Sequence, residues 1–344
     1  MKKLLALVVL LTVCAGVVTA QNTLSQTLPL LQQTARTPRQ TQQVLNLFRS
    51  SQDPNTIFAA GASLVKIPPE SVYEPALLNQ IISAQDPLKM AFSAIILTSM
   101  GSVYEELIPL LQDTLQSADP VLRAYGATAY TLINPDDKTH TTDVIRLYIF
   151  DSAFAQRAMN LVTKDSKEQF NLLKTASSNP DTQVRSAAAA WLGTLHTPEA
   201  AAQLQKRAKK ETDMTVQTQL AIALAANPDV ALEQVTQGLK LNYKKPAATT
   251  YALALGFMTG NSVSTLKEAL LSTDTNQHIN ALRSAAYMAG ILANPDGFAY
   301  SSDRTFDTHL LKGLIAPISA LAKNGSSEEQ TYAQNALEQI EKLL

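Results

Sequence analysis

Aspartates recur along this chain at the spacing of a helix pair, and no other feature limits the fold so tightly. Asp53, Asp86, Asp119, Asp151, Asp181 and Asp213 stand 33, 33, 32, 30 and 32 residues apart. An aspartate before an apolar, helix-periodic stretch is an N-cap, because its carboxylate accepts from free amides of the first turn. Asp53-Pro54, Asp86-Pro87 and Asp119-Pro120 sharpen the signal. Proline at the first helical position loses no hydrogen bond there. A period in the low thirties suits two antiparallel helices and excludes most other architectures. Later starts are expected near Lys245-Pro246 and Thr275-Asn276.

The clearest unit runs over residues 181–204. Val184, Ala187, Ala188, Trp191 and Leu192 form one apolar face. Gly193 is placed to end that helix in a left-handed conformation. Thr197-Pro198-Glu199 then restarts a second helix, with Thr197 as its cap. Asp181-x-x-Val184-Arg185-x-x-Ala188-x-x-x-Leu192-Gly193, followed by Thr197-Pro198-Glu199-Ala200, resembles the short HEAT repeat of the phycobilin-lyase-like type. Asp119-x-x-x-Arg123-x-x-x-Ala127 matches less fully, and Asp213-x-x-Val216-Gln217 has glutamine where the pattern has arginine. Tetratricopeptide repeats share the period, but the Asp-first, Gly-at-the-turn order favours HEAT. The resemblance implies an all-α fold: an α-solenoid, a HEAT-like superhelix of stacked antiparallel helix pairs. About nine pairs and a terminal helix fit the chain.

Residues 1–20 read as a signal peptide: two lysines, an apolar run, then Val18-Thr19-Ala20 with small residues at a cleavage site. The strongly apolar run, residues 4–13, is short for a membrane span, which takes about 20 residues. Cleavage would leave a chain from Gln21 with no transmembrane span. It would be exported, periplasmic or secreted; a lipoprotein anchored through Cys14 is the lesser alternative, because Val13 is a poor residue to precede a lipidated cysteine. Cys14 is the only cysteine, so the mature chain has no thiol or disulfide chemistry. Loss of Lys2 and Lys3 leaves 26 basic against 29 acidic residues, a net charge of −3. That balance argues against nucleic acid, or a strongly anionic membrane, as the main partner.

Residues 21–52 are expected as an N-terminal helical cap pair and residues 53–325 as the repeats. Leu107, Leu110, Leu111 and Leu115 suggest a regular second helix for the Asp86 unit. An insertion near residues 293–309 breaks the pattern, and residues 326–344 form a C-terminal capping helix. Caps shield the ends of a stack from water.

No catalytic set emerges. His140, His196, His278 and His309 lack a second histidine or an acid at metal-helix spacing, so they read as solvated or turn residues. Iron-binding relatives in the HEAT class, the deoxyhypusine hydroxylases, use His-Glu dipeptides, and this chain has none. Ser63-x-x-Lys66 has the spacing of a Ser-Lys hydrolase pair, but Ser264-x-x-Lys267 repeats it and no Lys-Thr-Gly accompanies either. Asp296, Asp303 and Asp307 offer oxygens to calcium at a spacing that matches no named loop. No catalytic residue, cofactor or metal is therefore assigned. Tyr125, Tyr130, Tyr148, Tyr251 and Tyr287 fall at apolar phase and read as core or groove lining.

Two features carry the binding expectation. Lys206, Arg207, Lys209 and Lys210 lie late in a second helix. Lys240, Lys244 and Lys245 follow about one repeat on, so stacking would bring both groups to one edge. The insertion adds Phe298, Tyr300, Arg304 and Phe306, residue types enriched at interaction hot spots. The expected function is a non-enzymatic, exported scaffold binding a protein or cell-envelope component. The alternative is an enzyme or cofactor-handling protein of the lyase-like HEAT group.

Overall fold

The computed structural model describes residues 29–33, 35–83, 86–242, 245–258, 262–293 and 308–344. The expected signal segment, most of the first expected helix and nearly all of the expected insertion lie outside them. Among the described residues there are helices and turns and no strand. The fold is an all-α solenoid that divides into two compact units, residues 1–144 and 145–344.

In the first unit, α1 (Pro38–Ser50) packs on α2 (Pro54–Lys66), and α2 on α4 (Pro87–Ser99). α3 (Glu74–Ser83) packs on α4, as does α6 (Pro120–Ile133). Phe48, Phe58, Phe92 and Tyr125 form edge-to-face and tilted contacts through this core. The expected second helix of the Asp86 unit is mostly a 3-10 segment, Glu105–Leu111, leading into a single turn, α5 (Gln112–Leu115). Pro109 lies inside it, and its missing amide removes a hydrogen bond that an α-helix needs. α7 (Thr141–Leu147) follows α6 in the chain.

The second unit holds α8 (Ser152–Val162), α9 (Ser166–Ala176), α10 (Thr182–Thr194), α11 (Pro198–Ala208), α12 (Met214–Ala226), α13 (Leu232–Asn242), α14 (Ala247–Phe257), α15 (Val263–Leu270), α16 (Thr275–Ala293), α17 (Lys312–Asn324) and α18 (Ser327–Glu341). α10, α12, α14, α16 and α18 pack each on the next as a first row. α9, α11, α13, α15 and α17 form a second row against it. A first-row helix is covered by two row neighbours and by second-row helices, so it is apolar nearly all round. In α14, nine residues are buried, among them Ala248, Tyr251, Leu253 and Leu255. Second-row helices bury one face only, as in α11 with Ala200, Ala201, Leu204 and Ala208.

All six periodic aspartates cap helices. Their carboxylates accept from Thr56, Leu88 and Lys89, Val121, Phe154, Gln183, and Thr215 and Val216. Thr197 caps α11 through the Ala200 amide. The two later starts fall where expected, at Ala247 and Thr275, but their caps differ from the periodic aspartates. Lys245-Pro246 supplies no side-chain cap to α14. At α16 the capping acid is Asp274, whose Oδ1 accepts from Asn276 and Gln277.

Gly193 also differs from expectation. α10 continues through it to Thr194, and its φ is not positive. A Cβ there would meet Ala223 Cβ at 2.8 Å and Ala223 Cα at 2.9 Å. The glycine is a close-approach point for α12, not a helix stop. The last helix, α18, packs on both α16 and α17, with Ala333, Ala336 and Ile340 buried.

Candidate functional site

Several charges in the second unit are structural. The Arg185 signature residue donates from Nε and Nη2 to Glu211 at 2.9 and 3.1 Å. Its Nη1 donates to the Asn179 carbonyl at 2.9 Å. That carbonyl lies two residues before the Asp181 cap. Arg123 reaches the Ser117 carbonyl, two before Asp119, at 2.6 Å. Gln217 reaches the Glu211 carbonyl, two before Asp213, at 2.9 Å. The glutamine therefore does the arginine's backbone work, and the pattern position is a brace between turn and helix. Glu211 also accepts from Arg207 Nη2 at 3.2 Å and from the Thr212 and Asp213 amides. Burial pushes its pKa up, but the Arg185 pair and these amides outweigh burial and hold it below the usual carboxylate range. Asp181 is held low in the same way, burial being outweighed by Arg146 at 2.6 Å and the first-turn amides.

A groove of about 500 Å³ lies between α9 and α11, lined by Asn171, Lys174, Thr175, Ser178, Gln203, Lys206, Arg207 and Lys210. No carboxylate lines it. Lys174, Lys206 and Lys210 are exposed and make no ion pair among the described residues. Arg207 is tied to Glu211 and also reaches Ser178 Oγ at 3.4 Å. Gln203 Nε2 donates to Ser177 Oγ at 2.8 Å, fastening α11 to the end of α9. The cations sit in the last turns of their helices, and Glu168, Glu199 and Glu233 sit in the first turns of α9, α11 and α13. The helix dipole favours both placements, each by about 0.3–1 kcal/mol. An eleven-residue helix is about 16 Å long. The acids therefore lie beyond the Debye length of about 8 Å from the lysines.

The expected sites fare differently. Lys206, Arg207 and Lys210 meet in this groove, while Lys209 is exposed beside it. Lys245 is exposed in the turn before α14. Lys240 lines another hollow of about 130 Å³, with Thr236, Leu239, Leu255, Thr265, Leu266, Glu268, Ala269 and Gln277. Lys244, Phe298, Tyr300, Arg304 and Phe306 lie outside the described residues, as do Asp296, Asp303 and Asp307. The groove partner missed in the sequence is Lys174. It stands 32 residues before Lys206, one period back.

A second hollow, of about 440 Å³, is lined by Tyr148, Ile149, Phe150, Ser152, Ala190, Thr194 and Gln219. Tyr148 stacks on the buried Trp191 at 4.5 Å and meets Thr194 Oγ1 at 3.1 Å. Ile149 and Phe150 are 44% and 41% exposed, a large apolar pair at a solvent-facing turn. Tyr125, Tyr130, Tyr148 and Tyr251 are core residues, and burial pushes the Tyr251 hydroxyl up to about 12. Tyr287 is half-buried.

The chemistry-bearing candidates resolve into packing. Ser63 Oγ donates to the Leu31 carbonyl at 2.8 Å, and Lys66 is exposed, so they are no catalytic pair. His278 corrects the solvated reading: it is buried, with Nδ1 at 2.6 Å from Glu329 and Nε2 at 2.7 Å from the Ser272 carbonyl. Among the described residues no three His, Cys, Asp or Glu side chains gather as a metal site. Nor is any described helix long and apolar enough to cross a membrane.

Two stacked rows of capped helices, braced at the turn by Arg or Gln, define an α-solenoid of repeated helix pairs. Residues 154–225 match the family model of HEAT repeats. Over that stretch the chain is similar to HEAT repeats. No curated protein matches it.

Proposed function

We propose that this protein is an exported, non-enzymatic scaffold that binds another protein or a cell-envelope component. The observation that carries the reading is the groove between α9 and α11. It presents exposed lysines and neutral hydrogen-bonding groups on a repeat surface. A stack of repeats suits such a role, because each pair adds a strip to an extended surface. Export is supported by residues 1–20 and their small-residue cleavage pattern.

The test is cross-linking in the native cell, followed by affinity capture and mass spectrometry. One dominant protein partner is the expected result. Turnover of a defined substrate by the purified protein would overturn the reading. A chromophore or metal that copurifies in stoichiometric amount would move it to the cofactor-handling class. The N-terminus of the native protein checks export: Gln21 is expected, and a chain retaining Met1 contradicts it.

A further inference from the structure

We infer that the hollow of about 130 Å³ between α13, α14, α15 and α16 binds a small zwitterion, of the class of an α-amino acid the size of alanine. The site is separate from the groove between α9 and α11, and it stands or falls independently of the scaffold reading. α13 packs on α14 and α15 on α16, while α14 packs on α16. The hollow lies where these two pairs adjoin and takes its walls from all four helices. Leu239, Leu255 and Leu266, all buried, form its apolar wall.

Five polar side chains also line it: Thr236, Lys240, Thr265, Glu268 and Gln277. Thr236 Oγ1 is buried and has no hydrogen-bond partner. A buried hydroxyl without a partner is costly, and a ligand that supplies one removes the cost. Lys240 and Glu268 are exposed, carry opposite charges to one hollow, and form no ion pair among the described residues. A simple ion of either sign would meet one of them as a like charge. A molecule with both a carboxylate and an ammonium meets each with its opposite: carboxylate toward Lys240, ammonium toward Glu268. Space sets the size. A cavity of about 150 Å³ takes benzene, so this hollow suits a ligand of about six heavy atoms. Alanine has that size, and its methyl group suits the leucine wall. Water alone would satisfy Thr236 but pair neither charge.

The experiment is equilibrium dialysis of the purified chain against radiolabelled L-alanine. Propionate, which lacks the ammonium, and ethylamine, which lacks the carboxylate, are the competitors. Each is expected to compete about threefold less well than unlabelled alanine, or worse. Free tryptophan, too large for the hollow, should not compete. Lys240→Gln and Glu268→Gln should each weaken alanine binding about threefold, and Lys206→Gln should leave it unchanged. Both altered residues are exposed, and an unchanged helical circular dichroism spectrum checks that the variants fold. Absence of alanine binding up to about 10 mM overturns the proposal. So does equal competition by propionate, ethylamine or tryptophan, and so does binding that neither variant at the hollow weakens.

Discussion

Glu211 is the residue on which most local charge depends. It is buried and neutralises two arginines while closing the turn before α12. Glu211→Ala would strand Arg185 and Arg207 in a largely buried place, and breaking such a pair costs about 3 kcal/mol. Chemical denaturation should show the midpoint falling accordingly; an unchanged midpoint would refute the brace. Its pH dependence has a definite sign. The folded pKa lies below the unfolded one, so the contribution is present above the unfolded value and is lost as pH falls through the folded value. Glu211→Gln should therefore flatten the acid limb of the stability profile.

Local chemistry of this kind was legible in the sequence. A cap needs only its own helix, so Asp53 to Asp213 could be placed from spacing alone. Long-range pairing could not. His278 and Glu329 are 51 residues apart and carry no mutual pattern. The Gly193 contact depends on Ala223 in the next repeat, so its role looked like a helix stop. Lys174 was within reach, since it obeys the period, but as a lone cation in a helix it gave no cluster to notice.

At the scale of elements, the first-row helices meet through small residues, and this sets their tolerance. Gly193→Ala improves helix propensity by about 1 kcal/mol. Its Cβ nevertheless meets backbone of α12, and overpacking costs about 1–3 kcal/mol. The net expectation is lower stability, read as a drop in melting temperature; a rise would show that α10 and α12 can part freely. The C-terminal helix is held by a buried pair. His278 Nδ1 lies 2.6 Å from Glu329 and its Nε2 2.7 Å from the Ser272 carbonyl, which ties α18 to α16. Burial pushes the Glu329 pKa up, but the hydrogen bonds from His278 and Ser326 outweigh it and hold it low. Glu329→Gln should speed amide exchange in Ser327–Glu341 more than in Met214–Ala226. A uniform change would contradict a local latch. The 3-10 segment Glu105–Leu111 shows the limit of pattern reading at this scale: four leucines gave the right periodicity, and one proline changed the hydrogen bonding.

Over the whole molecule, the division into rows explains why cations gather where they do. First-row helices flanked on both sides, such as α14, have little free face for them, and second-row helices place them where their dipoles end. A repeated unit then turns one favourable position into a series, with Lys174, Lys206 and Lys240 at one per helix. The all-α solenoid followed from the period, because helix pairs that cannot bury a face alone must stack. The central claim is that the part of this series in the α9–α11 groove, Lys174 and Lys206, is a protein-binding edge. Its most direct test is a photocross-linking residue installed at Lys206, and separately at Glu338 on exposed α18, with irradiation in the native cell. An adduct to one protein from position 206 and none from 338 is the predicted result. Adducts from both positions alike, or from neither, would contradict it.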